Sequence, residues 1–255
     1  MVRYMRGSIM NNIIVVASGK GGTGKSTVAV GLSVALVQLN KRVLLIDCDC
    51  GMRGLDLMLD VESEILFDCS DAVCGNCTPG EAVYRSKNLD NLYLMAAPFD
   101  TDNEISPSVF SQLVDELRDG YDYVIIDSPA GLGSGFVCAA NPADTALIVT
   151  NAEPVSLRGA VKVRRKLLEL GMESIRLVIN RFEREHFRQL DCYEDLDEVV
   201  DISGSQLIAL IPRDTRLSAI MQSGLTGLSW CPATNVFNCF ARRVEGENVP
   251  LAYKG

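Results

Sequence analysis

The segment SGKGGTGKST, from Ser18 to Thr27, is built from residue types that bind phosphate. Positions 19, 24, 25 and 26 fill the pattern G-x-x-x-x-G-K-[ST]. Glycines let a backbone curl so that several N–H groups point at phosphate oxygens. The lysine of this pattern reaches the β and γ phosphates, and the hydroxyl after it ligates Mg²⁺. The segment therefore predicts a phosphate-binding loop for a nucleotide.

The residues on either side of this loop agree with that prediction. The preceding NNIIVVAS is typical of a buried strand, and STVAVGLSVALVQL is typical of a helix. A strand, a glycine-rich loop and a helix N-terminus together form an arrangement that binds phosphate. A plain glycine-rich turn is the alternative, and the flanking elements favour the phosphate loop over it.

Three aspartates follow buried strands and could help to hold the metal. LLIDCDCGMRGLDL contains Asp47 and Asp49, and VIIDSPAGLG contains Asp127. An aspartate after an apolar strand is where the Mg²⁺-associated carboxylate of phosphate-loop enzymes is found. Asp47 and Asp49 are two residues apart, so in an extended segment they point the same way. The alternative is that each aspartate only begins a turn.

The elements that would position these residues alternate between strand-like and helix-like patterns. Helical patterns include SPSVFSQLVDELRDG and PVSLRGAVKVRRKLLELG. The strand-like runs are rich in Val, Ile and Leu, as in parallel strands buried on both faces. We predict an α/β fold with a doubly wound, mostly parallel sheet and helices on both faces. The strand-like runs are NIIVVAS, RVLLIDC, LYLMAAP, YDYVIIDSP, DTALIVTNAEP, SIRLVINRF and QLIALIPRD.

Composition places the chain among globular proteins of a reducing compartment. Its 255 residues, 47% of them hydrophobic, are enough for one large domain. We predict a single domain over 1–255, with 1–11 as an N-terminal extension and 224–255 as a segment packing on the domain. The net charge of −9 gives no strong nucleic-acid signal. An odd count of nine cysteines, with no signal-peptide pattern, favours a cytoplasmic location.

Several motifs together resemble the MinD/ParA family of deviant Walker A ATPases, and its MinD branch in particular. They are GKGGTGKST, IDCDCGMRGLDL, DSPAGLG, VINRF, IPRD and FARRVEGENVPL. The resemblance implies a Mg²⁺-dependent enzyme that binds ATP and hydrolyses it to ADP and phosphate. It also implies a homodimer when ATP is bound, a protein activator or effector, and a role as a spatial switch in cell division.

The same resemblance implies roles for individual residues. The additional lysine, here Lys20, reaches across the dimer to the nucleotide of the facing subunit, and it acts with Lys25 and Asp49 in catalysis. Asp49 orients the attacking water. Ser26 ligates Mg²⁺, and Asp47 and Asp127 support the metal through its water shell. The predicted nucleotide-binding residues are Gly19, Gly21, Gly22, Thr23, Gly24, Lys25, Ser26, Thr27, Asn180, Pro212, Arg213 and Asp214.

Two other functions remain open at the level of the sequence. The CGNC segment places Cys74 and Cys77 in C-x-x-C spacing, which suits a metal-trafficking or iron–sulfur cluster assembly ATPase. Cys48 and Cys50 form a C-x-C pair. The alternative for all four is that they are free thiols. A nucleotide-gated interaction module with little hydrolysis is the other rival.

The C-terminal residues bear on membrane binding. MinD proteins continue past this region into a linker and an amphipathic helix that binds membrane, whereas the sequence here ends at NVPLAYKG. The preceding NVFNCFARRV places Val236, Phe237 and Phe240 on one helical face, which we expect to pack on the domain. We therefore expect weak or absent membrane binding by this chain alone, and peripheral association only through a partner.

Overall fold

A computed structural model describes residues 12–50, 53–98, 105–225 and 233–251. Within these ranges, eight strands form one sheet. They are β1 (Ile13–Ala17), β2 (Val43–Asp47), β3 (Val83–Arg85), β4 (Leu92–Met95), β5 (Tyr123–Asp127), β6 (Thr145–Thr150), β7 (Ser174–Phe182) and β8 (Gln206–Pro212). Their spatial order is β3-β4-β2-β5-β1-β6-β7-β8. Every neighbouring pair is parallel except β3 with β4.

The helices of the described ranges cover both faces of this sheet, and each face has its own buried apolar cluster. The longest of them, α6 (Pro154–Glu169), has proline at its first position, where no intrahelical N–H donor is needed. The others are α1 (Lys25–Gln38), α2 (Leu55–Leu59), α3 (Cys69–Cys74), α4 (Pro107–Arg118), α5 (Ser134–Ala140), α7 (Arg184–Leu190), α8 (Leu196–Ser203), α9 (Thr215–Gln222) and α10 (Ala233–Val244).

The central strands bring the predicted acidic residues to one edge of the sheet. Strands β1, β2 and β5 are fully buried and parallel, so their carboxyl ends lie together. Asp47 at the end of β2 is in register with Asp127 at the end of β5. The phosphate loop follows β1, which pairs with β5. This edge therefore positions the loop and both carboxylates side by side, as parallel sheets commonly do for ligands.

The predicted α/β fold with a mostly parallel sheet is confirmed, and the seven predicted runs correspond to β1, β2 and β4 to β8. The strand that the sequence did not reveal is β3, which is only three residues long and antiparallel at the sheet edge. The Tyr84 hydroxyl within it accepts hydrogen bonds from the backbone N–H groups of Leu66 and Phe67, at 2.9 and 2.8 Å. Tertiary contacts of this kind hold so short a strand, and they leave no periodic signal.

Helix α10 packs its apolar stripe against the domain rather than exposing it. Phe237, Phe240 and Val244 are buried in the same apolar cluster as α1. A Cβ placed on Gly31 of α1 would lie 2.4 Å from the Phe237 ring, so only glycine permits this close approach. Of the predicted 224–255 segment, residues 226–232 and 252–255 lie outside the described residues, as does the 1–11 extension.

Candidate nucleotide-binding site

The phosphate loop leads directly into the open N-terminus of α1. Gly24 has a φ of 87°, in the left-handed region that glycine adopts readily, and α1 begins at Lys25 without a side-chain cap. The first hydrogen bond of the helix runs from the Val28 N–H to the Gly24 carbonyl, at 3.0 Å. The N–H groups of the first helical turn therefore have no partner within the helix. Together with the helix dipole, they form a site for an anion such as phosphate.

The rest of the loop combines close packing with an exposed lysine. A Cβ built on Gly19 would lie 2.3 Å from the Gly159 carbonyl oxygen of α6, so the loop touches that helix backbone to backbone. Lys20 is exposed, whereas Thr23 is buried. The Lys20 side chain is thus available at the surface, while the backbone around it is anchored.

Lys25 and Asp127 form a buried ion pair beneath the loop. The Lys25 Nζ lies 2.6 Å from Asp127 Oδ1, and the two side chains are only 6% and 1% exposed. Burial raises the pKa of Asp127, while Lys25 and the Ser26 hydroxyl oppose that rise. A bound phosphate would attract Lys25 away from Asp127, and the Asp127 carboxylate would then be available to the metal.

Asp47 lies next to this pair and contacts the backbone of Asp49. Its Oδ1 accepts a hydrogen bond from the Asp49 N–H at 2.9 Å, which sets the direction of the chain after β2. Burial and the neighbouring Asp127 raise the pKa of Asp47 to about 7. Two carboxylates crowded together in a buried position carry a charge that a divalent cation would stabilise.

Unpartnered polar atoms show that these residues suit a bound nucleotide and Mg²⁺. Among the described residues, Asp127 Oδ2 and the Thr23 hydroxyl are buried without a hydrogen-bond partner. Buried polar groups normally have hydrogen-bond partners, so these two oxygen atoms are free to interact with a metal ion or a nucleotide. Oxygen donors are what Mg²⁺ prefers, and Ser26, Asp47 and Asp127 supply them here.

A polar cavity of about 340 Å³ lies at the ends of β7 and β8, next to Thr27 of α1. It brings together five of the predicted nucleotide-binding residues, and it also includes Glu153, Glu183 and His186, which sequence reasoning missed. Arg181 was missed too, although it directly follows Asn180 in VINRF. The five predicted residues are Thr27, Asn180, Pro212, Arg213 and Asp214.

Known proteins resemble this chain in both sequence and fold. Residues 11–177 match the AAA domain family. The septum site-determining protein MinD of Synechocystis is 37% identical over 253 residues, covering 95% of this chain and 92% of that protein. The chain belongs to the MinD/ParA family of P-loop ATPases.

Solved structures of the family agree with this assignment. A chain of the MinC:MinD cell division protein complex from Aquifex aeolicus has a TM-score of 0.87 at 33% identity, covering 96% of this chain and all (100%) of that one. MinD from Pyrococcus horikoshii, complexed with Mg-ADP, has a TM-score of 0.80 at 29% identity, covering 91% of this chain and 95% of that one. The predicted family is confirmed, and the chain is a MinD-like cell-division ATPase. The prediction of ATP or ADP with Mg²⁺ is confirmed through these relatives.

A second cavity of this MinD-like ATPase, of about 320 Å³, lies beside Asp47 and Asp49 and is lined by thiols. Burial raises the pKa of Cys48 and Cys69, and it raises that of Cys138 to about 11. Thiols of this kind are protonated and unreactive near neutral pH. All the cysteines of the described residues are free thiols. Cys48, Cys69 and Cys138 pack as apolar side chains next to the acidic residues.

The Cys74 and Cys77 thiols of the alternative metal function are free in the described structure. Cys74 is exposed at the end of α3, and Cys77 is partly buried a few residues later. Among the described residues, no three His, Cys, Asp or Glu side chains are grouped as ligands of one metal ion, so Cys74 and Cys77 have no third ligand of these types there. Within the same residues, every helix is too short or too polar to cross a membrane.

The raised pKa of Asp47 predicts a pH-dependent stability of the metal-free protein. The folded state holds this proton up to about pH 7, whereas the unfolded chain releases it near 3.8. The unfolded state therefore ionises first, and stability falls as the pH rises through the folded pKa. Between about pH 6 and pH 8, we expect a loss of about 1.4 kcal/mol that depends on Asp47.

Urea denaturation in EDTA at both pH values measures this loss. Asp47→Asn cannot ionise at this position. Between these two pH values, its free energy of unfolding should therefore fall by about 1.4 kcal/mol less than that of the wild type. Asp90→Asn is the matched control, because the Asp90 side chain is 93% exposed. An equal pH dependence in the wild type and Asp47→Asn would show that Asp47 does not carry this proton.

Proposed function

We propose that this protein is a switch that dimerises when it binds ATP and is reset when it hydrolyses ATP to ADP and phosphate. The observation that carries the proposal is the buried Lys25–Asp127 pair under the phosphate loop, with Asp47 in register beside it. A buried charged pair at the carboxyl edge of a parallel sheet, next to an open helix N-terminus, suits a phosphoanhydride and its metal.

The proposed chemistry uses the residues of this edge in separate roles. Lys25 offsets the charge that develops on the oxygen between the β and γ phosphates as that bond breaks. Asp49 orients the water whose oxygen forms the new bond to the γ phosphorus. Ser26 would ligate Mg²⁺, and Asp47 and Asp127 would support the metal through its water shell. When bound, the metal would neutralise phosphate charge.

The loop after β5 is the proposed switch element. Ser128 donates a backbone hydrogen bond to the Val16 carbonyl, and the Gly131 N–H donates to the Ser18 carbonyl at 3.2 Å. The segment after Asp127 therefore contacts both the end of β1 and the start of the phosphate loop. Loss of the γ-phosphate would change what this segment packs against, as in other nucleotide switches.

Partners are proposed from the relatives. The similar Aquifex aeolicus chain is found in a complex of MinC and MinD. We propose that this chain likewise has a protein effector, and that any membrane association is peripheral and arises through such a partner. The polar cavity of about 340 Å³ around Asn180 and Pro212–Asp214 is the proposed adenine site, and we call it the base-side cavity.

Lys20→Ala tests the dimer that the proposal requires. Lys20 is exposed on the loop, and a second subunit would bring it near a concentrated negative charge. We expect Lys20→Ala to leave ATP binding to the monomer within about threefold but to weaken the ATP-dependent dimer by roughly tenfold or more. Analytical ultracentrifugation with Mg-ATP, alongside the ATPase rate over a range of protein concentrations, measures both.

Lys87→Ala is the matched control, because Lys87 is partly exposed and its partners Asp60 and Glu64 lie outside the site. In the wild type, specific activity should rise with protein concentration. A specific activity that is independent of concentration across the dissociation range would refute the cross-dimer role. ATP-dependent dimers without phosphate release would instead favour the nucleotide-gated interaction module.

A further inference from the structure

The end of β7 carries an irregularity that points two side chains at the phosphate loop. The pairing of β7 with β8 shifts register between Ile179 and Phe182. Within this shift, Arg181 has a φ of 54°, which is a left-handed conformation that a long side chain rarely adopts. Such bulges are found next to active sites, where they redirect side chains. Here the bulge lies beside the loop that binds phosphate.

Both redirected side chains hold backbone carbonyl groups of that loop. Arg181 donates a hydrogen bond to the Gly22 carbonyl at 2.8 Å, and Asn180 donates to the Thr23 carbonyl at the same distance. Asn180 is only 3% exposed, so its orientation is fixed by packing. Gly24, the next residue, leaves the space that Asn180 fills, because a Cβ there would lie 2.2 Å from Asn180 Nδ2.

Holding a carbonyl group also fixes the N–H group of the same peptide unit. In a planar trans peptide, the C=O and N–H bonds point in opposite directions. The bond from Arg181 to the Gly22 carbonyl therefore directs the Thr23 N–H away from the guanidinium. The bond from Asn180 to the Thr23 carbonyl likewise directs the Gly24 N–H away from the Asn180 amide. These N–H groups belong to the loop that cradles phosphate.

We propose that Arg181 is a positioning residue for nucleotide phosphate, acting through the Gly22 carbonyl to orient the Thr23 N–H. The inference rests on the proposed function, since it concerns the same phosphate loop. It predicts that loss of the Arg181 side chain lowers the affinity for ligands that carry phosphates and leaves the affinity for the nucleoside alone unchanged. Arg181 also lines the base-side cavity, so direct contact with the base is the competing role, and it predicts the opposite pattern.

Arg181→Gly separates the positioning role from a role in folding. Glycine adopts a positive φ without strain, so the variant should melt at the same temperature as the wild type or higher. Its affinity for Mg-ADP, measured by isothermal titration calorimetry, should nevertheless fall roughly tenfold, as expected for the loss of one charged hydrogen bond. Its affinity for adenosine, measured by competition, should be unchanged. Arg181→Lys should recover part of the ADP affinity, because a lysine keeps a positively charged donor but not the planar guanidinium.

Asp191→Gly is the matched control. Asp191 is exposed and has a φ of 45° at the end of α7, outside the phosphate loop, so ADP affinity should not change. Equal ADP affinity in the wild type and Arg181→Gly would overturn the positioning role, as would an equal loss for ADP and adenosine. A wild type that does not bind ADP at all would refute the proposed function itself, and this inference with it.

Discussion

Lys25→Ala should lower the affinity for Mg-ATP by about 10- to 100-fold, because it removes a charged contact to phosphate that contributes about 1.5–3 kcal/mol. The substitution should also destabilise the protein without nucleotide. Asp127 would remain buried at 1% exposure without its partner at 2.6 Å, and an uncompensated buried charge costs about 3–5 kcal/mol. Calorimetry with ATP and urea denaturation without it measure the two effects.

The double variant Lys25→Ala, Asp127→Asn distinguishes binding from folding. Replacing Asp127 by asparagine removes the buried charge, so most of the lost stability should return while the ATP affinity stays low. Lys87→Ala serves as a control for the loss of a positive charge elsewhere on the surface. If Lys25→Ala keeps wild-type affinity for ATP, the assignment of the phosphate loop is wrong.

The features that the sequence revealed are those with a local chemical or periodic signal. The apolar strands that end in Asp47 and Asp127 could be predicted because parallel strands buried on both faces read as continuous apolar runs. The glycine-rich loop could be predicted because few other segments need that spacing of glycine, lysine and hydroxyl. Both signals lie within a few residues of chain, so one sequence suffices to recognise them.

The features that the sequence did not reveal depend on contacts between distant segments. Arg181 reaches Gly22 across 159 positions, and Gly19 of the phosphate loop packs on Gly159 of α6. The left-handed conformation of Arg181 is not typical of arginine, so no local rule predicts it. The apolar, thiol-lined cavity beside Asp49 also forms only when the loops after β2 and β5 meet. Packing of this kind decides how the site is held, while the motifs decide what it binds.

The role of Asp49 can be tested apart from nucleotide binding. Asp49 is partly buried, its N–H donates to Asp47 Oδ1 at 2.9 Å, and it lines the cavity beside the proposed metal-binding edge. Its backbone position therefore depends on Asp47, not on its own carboxylate. A substitution at Asp49 should remove the carboxylate while leaving the loop in place.

The Asp49→Ala variant should bind ATP with an affinity within about threefold of that of the wild type. It should form the ATP-dependent dimer and then remain in that state, because hydrolysis is slow. Loss of the group that orients the attacking water should lower the rate of phosphate release by roughly 100-fold or more, since positioned acid–base and orienting groups contribute about that much. Single-turnover phosphate release and sedimentation with Mg-ATP measure the two properties on one sample.

Asp49→Asn keeps the size of the side chain without its charge, so an equal loss there would assign the effect to the carboxylate rather than to packing. Normal hydrolysis by Asp49→Ala would assign the water to another residue of this edge, and the stalled dimer would then not form.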